Sequence, residues 1–459
     1  TVREVSLTEA LVSAQDYVDL AGEMPTQNAA VLRLLLAVLF TVFSRVDTKG
    51  KPQPLAQSDD ALERWSELWQ LGHFPAEPVR DYLEQWKDRF WLFHPTHPFW
   101  QVPTISNGIE FDGKKLNGER AESGNKTPLF QNISKAECAV LTYAQAARWL
   151  IYQNGYDERG GRPKAGNKPR HGVGWLGQIG FVAVKGKNLY ETLLRNMAFS
   201  TEQDALREKQ LPCWEREHAR TEQSVEIVMP KNQAELLTLQ SRRILLIRSE
   251  EMPGVVGYEV LGGDYWDSEN AFGEQMTLWR RTSKENEKVT YEPQQHEMGK
   301  QLWRELPAML DPEGRKPGVL IWNQKLQSLR ILSKKEQIVI SVVGIRYDDQ
   351  GASVKDVYTD QLEMQLATLN DLGRKWTVRI SREVQRCEET AKNIGTLCVE
   401  LKLAGGLDYN KVKGFKDKQK VTEDARAQFY FAVDQPFRQW LQAIDPEQDD
   451  PDEAALRWQ

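Results

Sequence analysis

His94 and His97 stand three residues apart in the aromatic run Phe90–Gln101, a spacing at which two imidazoles can share a metal ion. No third ligand lies nearby in the sequence, so the favoured interpretation is a turn that the two histidines anchor. The other four histidines are isolated, and the sequence has no G-x-S-x-G elbow, H-E-x-x-H pair or Walker A loop. The commonest nucleophile, zinc and phosphate signatures are therefore missing, and catalysis is the minority interpretation.

Basic, glycine-rich loops carry the stronger chemical signal. Glycine lets the backbone approach a ligand closely, and backbone amides together with Arg and Lys suit phosphate. A solvated loop fits the first of these segments about equally well, and the second is weaker by itself. The first segment, 154–187, contains Arg159, Arg162, Lys164, Lys168, Arg170, Lys185 and Lys187, and the second is Arg280–Lys288.

Composition limits the class of protein. The chain has 459 residues, of which 40% are hydrophobic and 27% charged, as in ordinary globular proteins. The net charge of -6 excludes a generic basic coat for nucleic acid. Residues 421–459 carry nine acidic and three basic side chains, so the first 420 residues are neutral overall. Fifteen tryptophans suggest partner surfaces, with additional core as the alternative.

Cysteine usage and hydropathy indicate a reduced, cytoplasmic protein. The four cysteines are far apart and form no C-x-x-C pair, so zinc ribbons and redox motifs are not expected. The apolar run Leu34–Phe43 is too short to cross a bilayer, and no secretion signal opens the chain. We predict no membrane segment, no metal and no cofactor.

Hydrophobic periodicity predicts the elements that hold the loops. A short strand or turn is expected at 5–11, a buried helix at 27–46 and two amphipathic helices within 59–90 that break at Gly72. Further helices are expected at 136–153, 187–199, 297–310 and 318 onwards, with strands at 224–229, 244–248, 257–261 and 337–345. Asp348–Gly351 is interpreted as a turn between a strand and a helix.

The last part of the chain has a different pattern. Long helices are predicted at 375–403 and 422–443, joined by the Lys-rich link 411–420, and a third helix begins after the acidic turn 446–452. This pattern is typical of an up-down bundle. The predicted fold class is α+β, with a mixed N-terminal domain at 1–365 and a helical bundle at 366–459.

The ordered set of motifs resembles the CasA family, the large subunits of the type I-E CRISPR surveillance complex, Cascade. The similarity spans nearly the whole chain, and the order of the motifs is more specific than any one of them. The segments that carry it are Phe90–Gln101, Leu129–Asn132, Gly172–Gly177, Asn188–Asn196, Trp279–Thr282 and Arg346–Gly351, followed by the bundle. The family's usual opening strand and last bundle helix have no counterpart here, which suggests a chain trimmed at both ends.

The resemblance implies a non-catalytic subunit that reads DNA. It would recognise the PAM, a short sequence beside the target, in the minor groove of double-stranded DNA, and start strand separation so that crRNA can pair and an R-loop can form. The implied partners are crRNA, target DNA, the backbone, guide 5′-end-binding and small subunits of the ribonucleoprotein, and the helicase-nuclease of this antiviral defence. The alternatives are a scaffold subunit without DNA reading and a nucleic-acid enzyme.

Matching positions assign roles to residues. Gln350, with Asp349 beside it, matches the glutamine wedge, and Lys284, with Lys288 as its rival, matches the lysine that probes the groove. The glycine-loop candidates are Gly160, Gly161, Gly172 and Gly174. Phe130, Gln131 and Asn132 match the loop that docks at the 5′ end of the guide. Backbone phosphates are assigned to Lys411, Lys413, Lys416, Lys418 and Lys420, for which a solvated link is an equal alternative.

Overall fold

The computed structural model describes residues 1–117, 140–159, 172–199, 208–222, 230–264, 266–282, 289–311, 314–369, 374–405 and 415–458. These residues form a mixed α+β fold, as the sequence predicts. The chain divides into two compact units. The first contains 1–298, 317–322 and 342–359, and the second contains 299–316, 323–341 and 360–459. The boundary at 365/366 stays a prediction, and the second unit also includes two segments that precede it.

Helices form most of the first unit. They are α1 (Leu7–Val12), α2 (Pro25–Phe43), α3 (Ser58–Leu71), α4 (Ala76–Gln85), α5 (Gly113–Leu116), α6 (Tyr143–Tyr156), α7 (Trp175–Gln178), α8 (Leu189–Asn196) and α9 (Gln233–Leu237). Short 3-10 turns lie at Ala14–Asp16, Lys87–Phe90 and Cys213–Glu215. The expected strand or turn at 5–11 is wrong, because the Ser6 hydroxyl accepts a hydrogen bond from the Glu9 backbone and caps a helix instead.

Helix α2 is the central helix of the first unit. Pro25 occupies its first turn, where a missing N–H costs nothing, and 16 of its 19 residues are buried. It is long and apolar enough to cross a membrane, but 89% of its apolar window is buried inside the protein, which makes it a core helix. The Arg33 guanidinium inside it pairs with Glu274 through two 2.9 Å hydrogen bonds.

Small sheets complete the described fold. The strands are β1 (Ile109–Asp112), β2 (Phe181–Lys185), β3 (Arg242–Arg248), β4 (Val255–Gly262), β5 (Leu278–Arg281), β6 (Tyr291–Gln294), β7 (Gln337–Tyr347) and β8 (Val354–Gln365). They assemble in the orders β1-β4-β3, β2-β7-β8 and β5-β6. Strands β7 and β8 flank Asp348–Gly351, so this turn joins two strands. The predicted turn is present, but the helix that was expected after it is a strand. The predicted strand at 224–229 lies outside the described residues.

The second unit contains α10 (Leu306–Leu310), most of α11 (Gly318–Ser328), α12 (Arg374–Ala404), α13 (Phe415–Ala443) and α14 (Pro451–Trp458), with 3-10 turns at Leu302–Glu305 and Leu366–Leu369. The single helix expected at 297–310 is instead a 3-10 turn followed by α10, whose first turn contains a proline. The long helices confirm the predicted bundle, and α13 begins earlier than expected. Lys416, Lys418 and Lys420 therefore lie in a helix, and their predicted placement on a link is wrong.

Helices α12 and α13 run antiparallel, because Gly395 lies against Thr422 while Glu388 lies against Tyr430. The Glu388 carboxylate accepts hydrogen bonds from Arg304 (2.7 Å) and from the Tyr430 hydroxyl (2.5 Å). Burial acts to raise the pKa of Glu388, but these hydrogen bonds outweigh it and hold the pKa below its ordinary value of 4.5. The carboxylate therefore ties the bundle together in its ionised form.

Most tryptophans belong to the core. Eleven of the fifteen are buried, and Trp303 stacks on Phe437 at a centroid distance of 4.3 Å in the second unit. Trp91 is the clear exception, with 66% of its surface exposed. The high tryptophan content therefore reflects core packing, which was the alternative interpretation, far more than exposed partner surface.

Candidate nucleic-acid interface

The turn Asp348–Gly351 between β7 and β8 is held by its own first residue. Asp348 Oδ1 accepts hydrogen bonds from the backbone N–H groups of Gln350 (3.1 Å) and Ala352 (2.7 Å), and Oδ2 accepts from the Ser353 hydroxyl (2.8 Å). Gly351 has φ +69°, in the left-handed region that favours glycine. The side chains of Asp349 and Gln350 are exposed at the tip. A turn held by these hydrogen bonds thus presents an exposed carboxylate and an exposed amide.

The two described ends of the glycine-rich segment lie beside this turn. The Arg159 backbone N–H donates to the Gly351 carbonyl at 2.7 Å, and a Cβ on Gly351 would lie 3.5 Å from Val173. The Gly174 N–H donates to the Asp157 carbonyl at 2.9 Å and closes the segment at its base. Residues 159, 173 and 351, far apart in sequence, therefore meet at one edge of the first unit.

A buried arginine holds both ends of the segment. The Arg242 side chain is 1% exposed and its Nε donates to Asp157 Oδ2 at 2.6 Å. Its Nη2 donates to the backbone carbonyls of Glu158 and Gly172, each at 2.9 Å. One guanidinium thus binds the chain just before and just after residues 160–171, and fixes the distance between residues 158 and 172. We call residues 157–159, 172–174 and Arg242 the loop clamp.

A second buried ion pair connects the loop clamp to α5, and its carboxylate also accepts a 3.4 Å hydrogen bond from the first backbone N–H of β8. Lys115 Nζ donates to Glu158 Oε2 at 2.7 Å, and both side chains are nearly buried. The Tyr347 hydroxyl, at the end of β7, donates to the Tyr156 carbonyl at 2.6 Å. The residues on both sides of Asp157 therefore contact the two ends of the β7–β8 turn.

The segment that follows the loop clamp, residues 175–181, contacts the basic hairpin β5–β6. The Leu278 N–H donates to the Gly180 carbonyl at 3.1 Å, and a Cβ on Gly180 would lie 2.2 Å from the Gln294 carbonyl. The neck of the hairpin is closed by Thr282 and Thr290, whose hydroxyl oxygens are 2.9 Å apart. Segment 172–181 therefore contacts the loop clamp, the β7–β8 turn and the hairpin that leads to Lys284 and Lys288.

The described glycine candidates have different environments. Gly174 is buried, and a Cβ there would lie 2.4 Å from the Gly155 carbonyl oxygen, so packing within the protein requires glycine. Gly172 is exposed, and its nearest heavy atom would be 3.9 Å from an added Cβ. Of the two, only Gly172 has a side that the described residues leave open for a ligand to approach.

Several predicted site residues lie outside the described residues. They are Phe130, Gln131, Asn132, Gly160, Gly161, Lys284, Lys288, Lys411, Lys413 and the side chain of Lys416. Lys418 and Lys420 are in the first turns of α13, half-buried and exposed respectively. The structure therefore brings together Asp349, Gln350, Gly172 and Gly174 from the predicted set.

The sequence did not indicate the residues that organise this edge. Arg242 begins a strand of largely apolar side chains. That position was the one available signal, because a charge at the start of a buried strand needs a partner. Nothing in the sequence pairs it with Asp157. The contact between Arg159 and Gly351 is a backbone hydrogen bond, for which side-chain types give no signal.

The two closely spaced histidines form a turn. His94 Nδ1 accepts a hydrogen bond from the His97 backbone N–H at 3.0 Å, and His97 Nε2 lies 3.1 Å from the Glu217 carbonyl. Both rings are thus engaged with the backbone, as the favoured interpretation expects. In the part of the chain that the structure describes, no group of three or more His, Cys, Asp or Glu side chains is arranged to hold a metal ion.

Comparison with known proteins identifies the class to which this chain belongs, the CRISPR-associated proteins. A family model described as CRISPR-associated protein Cse1 matches residues 1–459. The chain therefore belongs to the Cse1 family. A curated relative, the CRISPR-associated protein CasA/Cse1 of Thermus thermophilus, is 36% identical over 220 residues, which are 47% of this chain and 39% of that protein. The matched region thus spans well under half of the curated relative.

Solved structures share the fold over almost the whole chain. Cse1 of Thermobifida fusca matches with a TM-score of 0.82 and 28% identity, covering 100% of this chain and 86% of that one. Cse1 of Acidimicrobium ferrooxidans matches with a TM-score of 0.79 and 24% identity, covering 99% and 86%. A chain of a CRISPR RNA-guided surveillance complex shares the fold at a TM-score of 0.67 and 18% identity, covering 99% and 94%.

Proposed function

We propose that this protein is the subunit of a type I-E Cascade complex that recognises the PAM in double-stranded DNA and starts strand separation for crRNA pairing. Its membership of the Cse1 family supports this proposal, as does the fold that it shares with a chain of an RNA-guided surveillance complex. The observation that carries it is the hydrogen bond between Arg159 and Gly351, which puts the exposed Gln350 beside the ends of the glycine-rich loop.

The chemistry of this edge suits the minor groove. That groove presents acceptors in a largely degenerate pattern, so a protein that reads it tolerates several sequences. Gly172, with open space on one side, lets backbone approach base edges, and Lys284 has the length to reach acceptors on the groove floor. Gln350 stands on a turn fixed by Asp348, so a wedge placed there would not collapse when it separates a base pair.

The remaining partners belong to the same proposal. Phe130, Gln131 and Asn132 would dock at the 5′ end of the crRNA against the neighbouring subunits, and the assembled complex would recruit the helicase-nuclease. The protein itself would act by binding and not by catalysis, in the cytoplasm. The rest of the complex would meet the DNA backbone charge, since the first 420 residues are neutral overall.

The test is a binding assay on the reconstituted complex with and without this subunit. The targets are duplexes that differ only in the PAM, and one duplex whose first target pairs are mismatched open. Omitting the subunit should abolish PAM-dependent binding to the closed duplex and spare the opened one. Equal binding of all targets without the subunit would contradict DNA reading and favour the scaffold alternative.

A single substitution locates the wedge. Gln350→Ala should weaken binding to the closed duplex, leave binding to the opened duplex unchanged and leave assembly intact. Gln85→Ala is the matched control, because Gln85 is another exposed glutamine of the first unit, on α4. Lys284→Ala should instead reduce the PAM-dependent part of the affinity. Equal effects of Gln350→Ala on both duplexes would show that the residue does not act in strand separation.

A further inference from the structure

The aromatic segment Phe90–Gln101 has no part in the proposed DNA reading, yet it forms one wall of a small cleft in the first unit. The opposite wall is formed by residues 213–220, with Gln240 at its side. Three guanidinium side chains line the cleft, those of Arg89, Arg216 and Arg220. The inner cavity is about 20 Å³, which is enough for one water-sized group.

The positive charge at this cleft exceeds the negative charge beside it. The buried Asp264 carboxylate is shared, since Oδ1 lies 2.6 Å from Arg243 Nη2 and Oδ2 lies 3.1 Å from Arg220 Nε. Arg216 has Glu235 at 3.6 Å. Four arginines, counting Arg89, thus have two carboxylates among the residues that the structure describes.

The neighbouring carboxylate of Glu215 does not correct this imbalance. Both of its oxygens are engaged by Arg45, each at 2.8 Å, and Oε1 also accepts from the Tyr82 hydroxyl at 2.7 Å. Arg89 is half-buried, and its guanidinium forms no ion pair or hydrogen bond within the described ranges. Among the described residues, the cleft therefore has one cation at its edge without an acidic partner.

Donors inside the cleft lack acceptors as well. Arg216 Nη2 and Arg220 Nε are buried and form no hydrogen bond of acceptable geometry within the described chain. The side chains of these two arginines are 12% and 26% exposed, so water compensates them only in part. Burial lowers the pKa of the adjacent Arg243, and the charges of Arg220 and Arg216 act in the same direction. Cations crowded in this way are stabilised by an anion.

The backbone at the cleft wall is strained. Trp100 lines the cleft with φ +53°, a value that a bulky residue rarely adopts. Such strain persists only where the surroundings enforce it, and it is concentrated at ligand sites. His94 and His97 hold the preceding turn by backbone contacts, and the Gln101 N–H donates to the Pro98 carbonyl at 3.1 Å, so hydrogen bonds hold the chain on both sides of Trp100.

We propose that this cleft binds a single phosphate group through the guanidiniums of Arg89, Arg216 and Arg220. The planar fork of arginine matches the oxygens of phosphate, and hydrogen bonds between ionised partners are about twice as strong as neutral ones. One phosphate oxygen fills the inner cavity and the others lie in its mouth. The phosphate comes either from free inorganic phosphate or from the terminal phosphate of a nucleic acid. The site does not depend on the proposed DNA reading.

The experiment titrates inorganic phosphate into the full chain and follows binding by calorimetry and by the unfolding temperature. Sodium chloride at equal ionic strength is the salt control. Arg89→Gln and Arg216→Gln should weaken the apparent phosphate affinity at least tenfold. Arg80→Gln is the matched control, because Arg80 is an exposed arginine on α4 that forms no side-chain pair within the described residues, and it should bind phosphate like the wild type.

A second arm identifies the source of the phosphate. Short RNA oligonucleotides with and without a 5′ phosphate compete against inorganic phosphate. If only the RNA with a 5′ phosphate displaces inorganic phosphate, the ligand is the terminal phosphate of a nucleic acid. If inorganic phosphate binds and neither RNA displaces it, the ligand is the free anion. Equal stabilisation by chloride, or equal phosphate affinity of wild type and Arg89→Gln, would overturn the site. Because Arg89 forms no ion pair or hydrogen bond through its side chain among the described residues, its variant keeps the test decisive even if Arg216→Gln unfolds.

Discussion

Replacement of Arg242 by methionine should destabilise the first unit by about 3–5 kcal/mol, the usual cost of removing one partner of a buried ion pair. Asp157 is 2% exposed, so its buried carboxylate would lose the guanidinium that lies 2.6 Å from it. The carbonyls of Glu158 and Gly172 would lose their 2.9 Å donors as well. Arg280→Met is the control, since its pair with Glu292 is exposed and should contribute less than about 1 kcal/mol.

Hydrogen exchange measures this prediction at the loop clamp itself. The amide of Gly174, which donates to Asp157, should exchange at least roughly a hundredfold faster in Arg242→Met, since every 1.4 kcal/mol is about tenfold. Adding Asp157→Asn should restore part of the protection, because a neutral amide then replaces the buried charge. Unchanged exchange of Gly174, or a global loss no larger than that of Arg280→Met, would show that the loop ends do not depend on this guanidinium.

Three further predictions concern packing, backbone conformation and pH. Gly174→Ala should lower the free energy of unfolding by about 1–3 kcal/mol, because the new Cβ would lie 2.4 Å from the Gly155 carbonyl oxygen. Gly172→Ala should change it by no more than about 0.5 kcal/mol. The denaturation midpoints of the two variants check this difference. Gly351→Ala should lower the free energy of unfolding by about 1–2 kcal/mol, because residue 351 has φ +69°. Gly351→Asn should lower it less, since asparagine tolerates the left-handed region. Equal losses of both variants in urea unfolding would contradict this argument from backbone conformation. Because the pKa of Glu388 is lower in the folded protein than its ordinary value, its ionisation stabilises the folded bundle fully above about pH 4.5. This stabilisation is lost as the pH falls below that value. The unfolding temperature of the wild type should therefore drop more steeply on acidification than that of Glu388→Gln.

The sequence predicted the elements whose burial is periodic. The apolar run in α2 and the helical spacing of buried positions in α12 gave the correct element types, with starts shifted by one or two residues. Strand β8 was missed because none of the first eight residues of Val354–Gln365 is buried, so the alternation that identifies a strand is absent there. Without that strand, the turn before it was assigned a wrong successor.

The candidate interface was predictable in its local parts only. The composition of Asp348–Gly351 is typical of a turn, and the turn is present with its tip exposed. Its position beside Arg159 depends on contacts between segments that are distant in the chain, and these have no local sequence signal. Arg242 was missed for the same reason, since its partners are a distant carboxylate and three backbone carbonyls.

The contacts of segment 172–181 have a consequence for engineering and for evolutionary change. They are made largely by backbone atoms or at glycines such as Gly174, Gly177 and Gly180, where an added Cβ would lie within 2.4 Å of a neighbour. Contacts of this kind fix where the three loops start and end, but they do not restrict how many residues lie between those ends. The tips between 159 and 172 and between 282 and 290 should therefore be exchangeable between relatives as cassettes, so that recognition can diversify while the base beneath it stays unchanged.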